Sequence, residues 1–182
     1  MSQITTWNID PAHSGIHFSA RHLVVSKVRG RFGRWSAQLE LQGDDFAAAK
    51  VSVSIDADSI DTGVADRDAH LRSADFLNVA EHPKLEYRSR RVERLGPNAL
   101  RVVGDLTIAG VTREVALDVA DAGRANDPWG NQKALFSASA SIDRREFGLR
   151  WNQVLEAGGV LVGDRIDLEI EIQAVKVAEK AA

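Results

Sequence analysis

A chain of 182 residues, 44% apolar and 27% charged, suits one domain with a full hydrophobic core. A net charge of −3 argues against a protein built to hold nucleic acid, since it has no basic excess to displace counterions. With no cysteine there is no disulfide framework and no thiolate metal site, and no run approaches the ~18 apolar residues of a membrane span.

Met1 to Trp7 has neither the basic flank nor the apolar stretch of a secretory leader. The expected compartment is therefore the cytoplasm, or the periplasm or exterior if a leader has been removed. Trp7 and Ile9 alternate with polar neighbours in a short strand that Pro11 ends. In Ser14 to His22, Ile16, Phe18, Ala20 and His22 share one face. Val24 to Phe32 is basic and less regular, with Gly30 and Gly33 read as a bend or bulge. Trp35, Ala37, Leu39 and Leu41 form the next apolar face, Gly43-Asp44-Asp45 a turn, and Val51, Val53 and Ile55 a further face.

The alternation stops between Ser59 and Pro83. Asp61 and Thr62 are placed to cap a helix over Val64 to Ser73. Asp66 and Asp68 suit its positive end and Arg72 its negative end, and Val64, Arg67 and Leu71 share one side. One helix in an otherwise β chain must pack on something, and an open barrel mouth is the natural candidate. Strands resume at Leu85, with a turn at Gly96-Pro97-Asn98. Leu100 to Ile108 and Arg113 to Val119 read as a hairpin bent at Gly110. Asp121 to Lys133 reads as a loop and Phe147 to Gly159 as an irregular stretch. Phe136, Ala138, Ala140 and Ile142, and then Ile166, Leu168, Ile170 and Ile172, are the clearest inward faces. The domain is expected to run over 1–176, with 177–182 a frayed tail.

These elements predict an all-β chain of about eight antiparallel strands, a barrel or a two-sheet sandwich, with the helix after the fifth or so strand. Small residues on the apolar faces, Ala20, Ala37, Ala138 and Ala140, favour a barrel with room for one slender ligand.

Several motifs occur in a fixed order: Trp7-Asn-Ile-Asp-Pro-Ala-His-Ser-Gly-Ile-His-Phe-Ser-Ala-Arg-His22, Val28-Arg-Gly-Arg-Phe32, Ser59-Ile-Asp-Thr-Gly63, Arg67-Asp-Ala-His-Leu-Arg-Ser-Ala-Asp-Phe76, Gly104-Asp-Leu-Thr-Ile-Ala-Gly-Val-Thr112 and Arg144-Arg-Glu-Phe-Gly148. In these the chain resembles the YceI-like family from Trp7 to about Val175. The resemblance implies a lipocalin-like, up-and-down antiparallel barrel. It also implies a polyisoprenoid or other long-chain amphiphilic lipid in the lumen, often with a homodimer; no cofactor is expected. Many members are periplasmic, and this chain departs from them at its N-terminus.

For such a ligand the wall candidates are Ile16, Phe18, Phe32, Trp35, Leu71, Phe76, Leu135, Phe136, Phe147 and Trp151. Lumen and ordinary core share the same apolar pattern, so each could serve either. His22, Arg67 and His70 are the candidates for the polar end. The rival readings are a hydrogen-bonded core histidine for His22 and a solvated ion pair of Arg67 or Arg72 with Asp68. Asp66, His70 and His82 lack the spacing of an established metal motif, and no Gly-x-Ser-x-Gly elbow or phosphate loop occurs. The expected activity is carriage or storage of a lipid without catalysis. The alternatives are an interaction module with a side-chain-filled barrel, or a lipid-modifying enzyme.

Overall fold

The computed structural model describes residues 4–42 and 45–177; the turn expected at Gly43-Asp44 and the tail beyond Val177 lie outside the described residues. The elements are β1 (Ile4–Ile9), β2 (Gly15–His22), β3 (Ser26–Phe32), β4 (Trp35–Gln42), β5 (Lys50–Asp56), β6 (Ile60–Asp61), α1 (Ala65–Arg72), β7 (Lys84–Gly96), β8 (Ala99–Ile108), β9 (Val111–Asn126), β10 (Gln132–Asp143) and β11 (Val162–Lys176). All pairings are antiparallel. β1-β4-β5-β7-β8-β9-β10-β11 close into an eight-stranded barrel through β1–β11, and β2, β3 and β6 continue as three extra strands.

Those extra strands arise because one side of the wall is broken. β11 is long enough to carry two partners: Glu171 to Ile166 pair with β2, and Ala174 to Lys176 with β1. Between β1 and β2 the chain jogs at Pro11, which can donate no ladder hydrogen bond. Asp10 accepts from the Ala12 amide at 3.1 Å, and the Ser14 hydroxyl accepts the Gln173 amide of β11 at 2.9 Å. β3 and β4 are likewise separated at Gly33-Arg34, and β5 and β6 by a 3-10 turn over Ala57–Ser59. In the lower half β5 pairs with β7, while in the upper half β6 has no β7 partner beside it. α1 stands in that seam. Arg72 donates to the Asp58 carbonyl at 2.7 Å and to the Ile60 carbonyl at 2.8 Å, so a side chain satisfies what a strand would have bonded.

Three local expectations change. The helix is capped at Val64 without a side-chain bond; Asp61 accepts from the Gly63 amide and Asp68 from the Thr62 amide, so Asp61 and Thr62 shape the approach and do not cap. Asp121 to Asn126 is strand, because β10 offers it a partner (Gln132 against Asn126, Lys133 against Ala125), with the slip taken up by a bulge at Leu135/Phe136 beside Gly123. Gly30 neither bends nor bulges. It lies in register opposite Phe18, and a Cβ there would sit 2.3 Å from Phe18 Cζ. The β8–β9 hairpin is as expected, its two turn residues Ala109 and Gly110 both at positive φ.

The lower end is closed by a buried cluster of Trp7, Leu39, Leu41, Phe46, Leu100, Ala134 and Ala174. Phe46, on a short 3-10 turn, stacks at 5.0 Å on Phe136 and 5.6 Å on Trp7, with the Arg124 guanidinium 4.1 Å over its ring. Among the described residues no helix is long and apolar enough to cross a membrane.

Candidate functional site

The barrel interior is not filled. An outer cavity of about 270 Å³ lies under α1, and an inner cavity of about 190 Å³ lies below it. Phe32, Leu85, Ile108, Ile142 and Leu168 belong to both walls, so the cavities meet at a shared girdle. Inward residues such as Leu117, Val119, Ala138, Ile170 and Ile172 are only partly buried, as side chains facing open space must be. Of the four small residues that raised the prospect of space, Ala20 lies on the outer cavity and Ala37 and Ala138 on the inner, while Ala140 lines neither and packs against the core.

The inner wall is almost wholly apolar. Tyr87 shares its hydroxyl between the Val102 and Val115 carbonyls at 3.1 and 3.2 Å, and burial pushes its pKa well above the ordinary tyrosine value. Among the described residues Gln38 is the one exposed residue in this wall. The outer cavity is mixed. Its wall carries Arg21, His22, Thr62, Arg67, His70 and Arg144 and, among the described residues, no carboxylate.

Two of these arginines are held quite differently. Arg67 donates from Nε to the Thr62 hydroxyl at 2.7 Å and from Nη2 to the Thr62 carbonyl at 2.9 Å. The Thr62 hydroxyl in turn donates to the buried Asp68. Nη1 of Arg67 has no acceptor among the described residues. Arg144 is 3% exposed and fully committed: Nε to the Gly163 carbonyl, Nη1 to the Leu149 and Trp151 carbonyls, Nη2 to the Val162 carbonyl and Asp164. Burial lowers its pKa, opposed by the charges of Asp164 and Asp143. Arg144 thus pins both ends of the irregular stretch, 149–151 and 162–164, to the barrel top. That stretch presents Trp151, which meets His70 at 4.5 Å and Phe76 at 5.4 Å, while His70 and Phe76 stand 5.1 Å apart. Three rings from α1, the turn after it and the pinned stretch therefore roof the outer cavity. His70 Nε2 is 2.9 Å from Asp75 Oδ2.

Phe18, His22, Arg67, His70, Leu71, Phe76 and Trp151 line the outer cavity, Ile16, Trp35 and Phe136 the inner, and Phe32 both. His22 makes no side-chain hydrogen bond to a described residue. Arg67 and Arg72 bond to hydroxyl and carbonyl oxygens, and neither pairs with Asp68. Two wall candidates lie elsewhere. Leu135 is out of phase with Phe136 and Ala138 and sits at the bulge. Phe147, 1% exposed on a 3-10 turn after β10, belongs to the packed core behind the cavity. Among the described residues no three His, Asp or Glu side chains gather as metal ligands would. Arg144 stood inside a quoted motif, but its role depends on carbonyls far along the chain. Phe46 gave no periodic signal because it lies alone between two strands.

This architecture matches known proteins. Residues 7–174 match the YceI-like domain. The chain belongs to the YceI-like family. A UPF0312 protein of Staphylococcus epidermidis is 38% identical over 167 residues, covering 91% of this chain and 95% of that protein. Among solved structures, BcnA of Burkholderia cenocepacia superposes with a TM-score of 0.78 at 21% identity, covering 91% and 99% of the two chains. A polyisoprenoid binding domain from Saccharophagus degradans, implicated in plant cell wall breakdown, superposes with a TM-score of 0.68 at 14% identity over 94% and 98%. At those identities the likeness concerns the YceI-like fold alone.

Proposed function

We propose that the protein takes up one long-chain amphiphilic lipid, tail inward, and carries or stores it without a chemical step. The ligand we favour is a polyisoprenoid, a polyprenyl phosphate or isoprenoid quinone. The observation that carries this reading is the order of the two cavities: an apolar inner chamber behind an outer one whose polar groups are cationic or neutral. Each CH₂ moved from water into such a chamber is worth ~0.8 kcal/mol, so the tail supplies affinity. Arg67, with donors left over, and His22 and His70 suit an anionic or carbonyl head group. The polyisoprenoid binding named for the Saccharophagus domain supports the ligand class. The cytoplasmic location and the homodimer belong to the same proposal; cell fractionation and sedimentation velocity decide them.

Native mass spectrometry of the purified protein, followed by organic extraction, tests the reading together with titration by prenyl phosphates. A bound prenyl lipid is expected, and Arg67→Ala should weaken a prenyl phosphate more than the matching prenyl alcohol. Failure to bind either compound would overturn it.

A further inference from the structure

The tip between β2 and β3, beside the outer cavity, is made of Leu23, Val24 and Val25, exposed by 45%, 73% and 85%. Leu23 and Val24 have φ of 52° and 65°. Glycine or asparagine holds this left-handed conformation with little strain, whereas a β-branched residue such as Val24 is disfavoured there. The Leu23 amide donates to the Leu161 carbonyl at 3.0 Å. That bond ties the tip to the stretch where Val154 and Val160, both exposed, bridge one another. Five aliphatic side chains therefore crown one side of the rim.

Charge adds a second oddity. Two rungs below the tip, past the His22–Ser26 pair, Arg21 faces Lys27 directly, a like-charged cross-strand pair that disfavours the hairpin. Lys27 has a single distant partner, Asp167 at 3.8 Å; Arg21 and Arg29 have no carboxylate partner among the described residues. The facing stretch contributes Arg150 and one carboxylate, Glu156. The protein as a whole is negative, so this basic edge is local.

A strained tip, exposed aliphatics and opposed cations are each unfavourable to the free molecule. A bilayer interface with anionic head groups relieves the last two together, because it takes aliphatic side chains below and cations above. We propose that this rim docks on an anionic bilayer, so that the mouth lined by Arg21 and His22 opens onto the membrane and a lipid tail passes between the two without crossing water. Its purpose rests on the lipid-binding reading above; the docking itself is tested separately.

The test is cosedimentation of the intact protein with phosphatidylcholine vesicles, with and without phosphatidylglycerol. Binding is expected to the anionic vesicles, weakened about 30-fold by Arg21→Gln/Lys27→Gln. Val24→Asn/Val25→Ser relieves the strained backbone, so its melting temperature should hold or rise while vesicle binding falls at least about tenfold. Titration of the same variant with prenyl phosphate in detergent solution should match the parent. Unchanged vesicle binding in either variant overturns the proposal. So does a parent dimer that becomes monomeric in Val24→Asn/Val25→Ser with no vesicle binding by either, which makes the tip an interface between copies. If vesicle binding behaves as expected but no prenyl phosphate binds, docking stands and the lipid-ligand reading falls.

Discussion

Ala138→Phe should shorten the lipid the barrel accepts. Ala138 lies on β10 opposite Val119 and Ile170, on the inner wall and off the outer one. A ring at that position projects into about 190 Å³ of space, so the usual ~1–3 kcal/mol cost of overpacking a filled core should be largely avoided. What changes is the length of tail the inner chamber admits. One isoprene unit has five carbons; at ~0.8 kcal/mol for each buried carbon its exclusion removes at most about 4 kcal/mol, a factor of roughly 10³ in affinity. Ordering of the tail offsets part of this, so a loss of about 10²-fold for the longest ligands is the working expectation. The assay is calorimetric titration with prenyl phosphates of increasing chain length. In the parent, affinity should climb with each added unit and then level off; in Ala138→Phe it should level off at least one unit sooner, with the shortest ligands unaffected. Identical plateaus in the two proteins would show that the tail never enters the inner chamber.

Arg144→Met leaves four carbonyls and Asp164 without their donor in a buried site. It should lower unfolding free energy in urea by about 3–5 kcal/mol and render the 149–162 stretch cleavable by protease in the native state. Gly30→Ala places a Cβ 2.3 Å from Phe18 Cζ and 2.9 Å from Thr62 Cγ2. It should cost about 1–3 kcal/mol and weaken ligands of every length alike, read by thermal melting and titration, because Phe18 and Thr62 both line the outer cavity. Asp143 is held at a pKa of about 2 by the Arg145 side chain and amide, below its ordinary 3.8. A depressed carboxyl stabilises the fold above its unfolded value and loses that contribution as pH falls through its folded value. Melting temperature should therefore drop between about pH 4 and 2, and Asp143→Asn should flatten that part of the profile.

How far the sequence discloses this architecture varies from strand to strand. β10 and β11 alternate strictly, and Phe136, Ala138, Ile166, Leu168, Ile170 and Ile172 stand inward as period-two reading requires. Space in the lumen was legible from Ala20, Ala37 and Ala138, because small residues on an inward face leave it underfilled. The upper half of β9 was not legible: Gly123 and the polar residues around it carry a loop's local signal, and only the partner strand, Lys133 against Ala125, makes them a ladder. Gly30 carries the same composition signal as a bend, yet its function is room for the Phe18 ring, a fact of the neighbouring strand. Arg144 stands in the motif Arg144-Arg-Glu-Phe-Gly148, which marks the position without giving its role. Nothing local says that its acceptors are the carbonyls of Leu149, Trp151, Val162 and Gly163. In each case the missing information is a pairing between distant residues.

The breaks in β1/β2, β3/β4 and β5/β6 shape the open end of this barrel. A closed eight-strand barrel is wide enough either to be filled by its own side chains or to hold one small ligand, and small inward residues such as Ala37 and Ala138 tip this one toward the second. Here the upper wall has no β6–β7 pairing and takes a helix in place of a strand, which brings Arg67, His70 and Leu71 to the cavity. The substitution also changes how that wall is held. A strand in its place would be fixed by a ladder on both sides, whereas α1 is tied to the β6 edge through Arg72 and to its own approach through Arg67, Thr62 and Asp68. Segments with few ladder bonds open at lower free energy than the sheet around them. Entry of a tail should therefore displace α1 and the ring roof and leave the eight strands unchanged, and ligand binding should slow amide exchange most in 62–77 and 149–162.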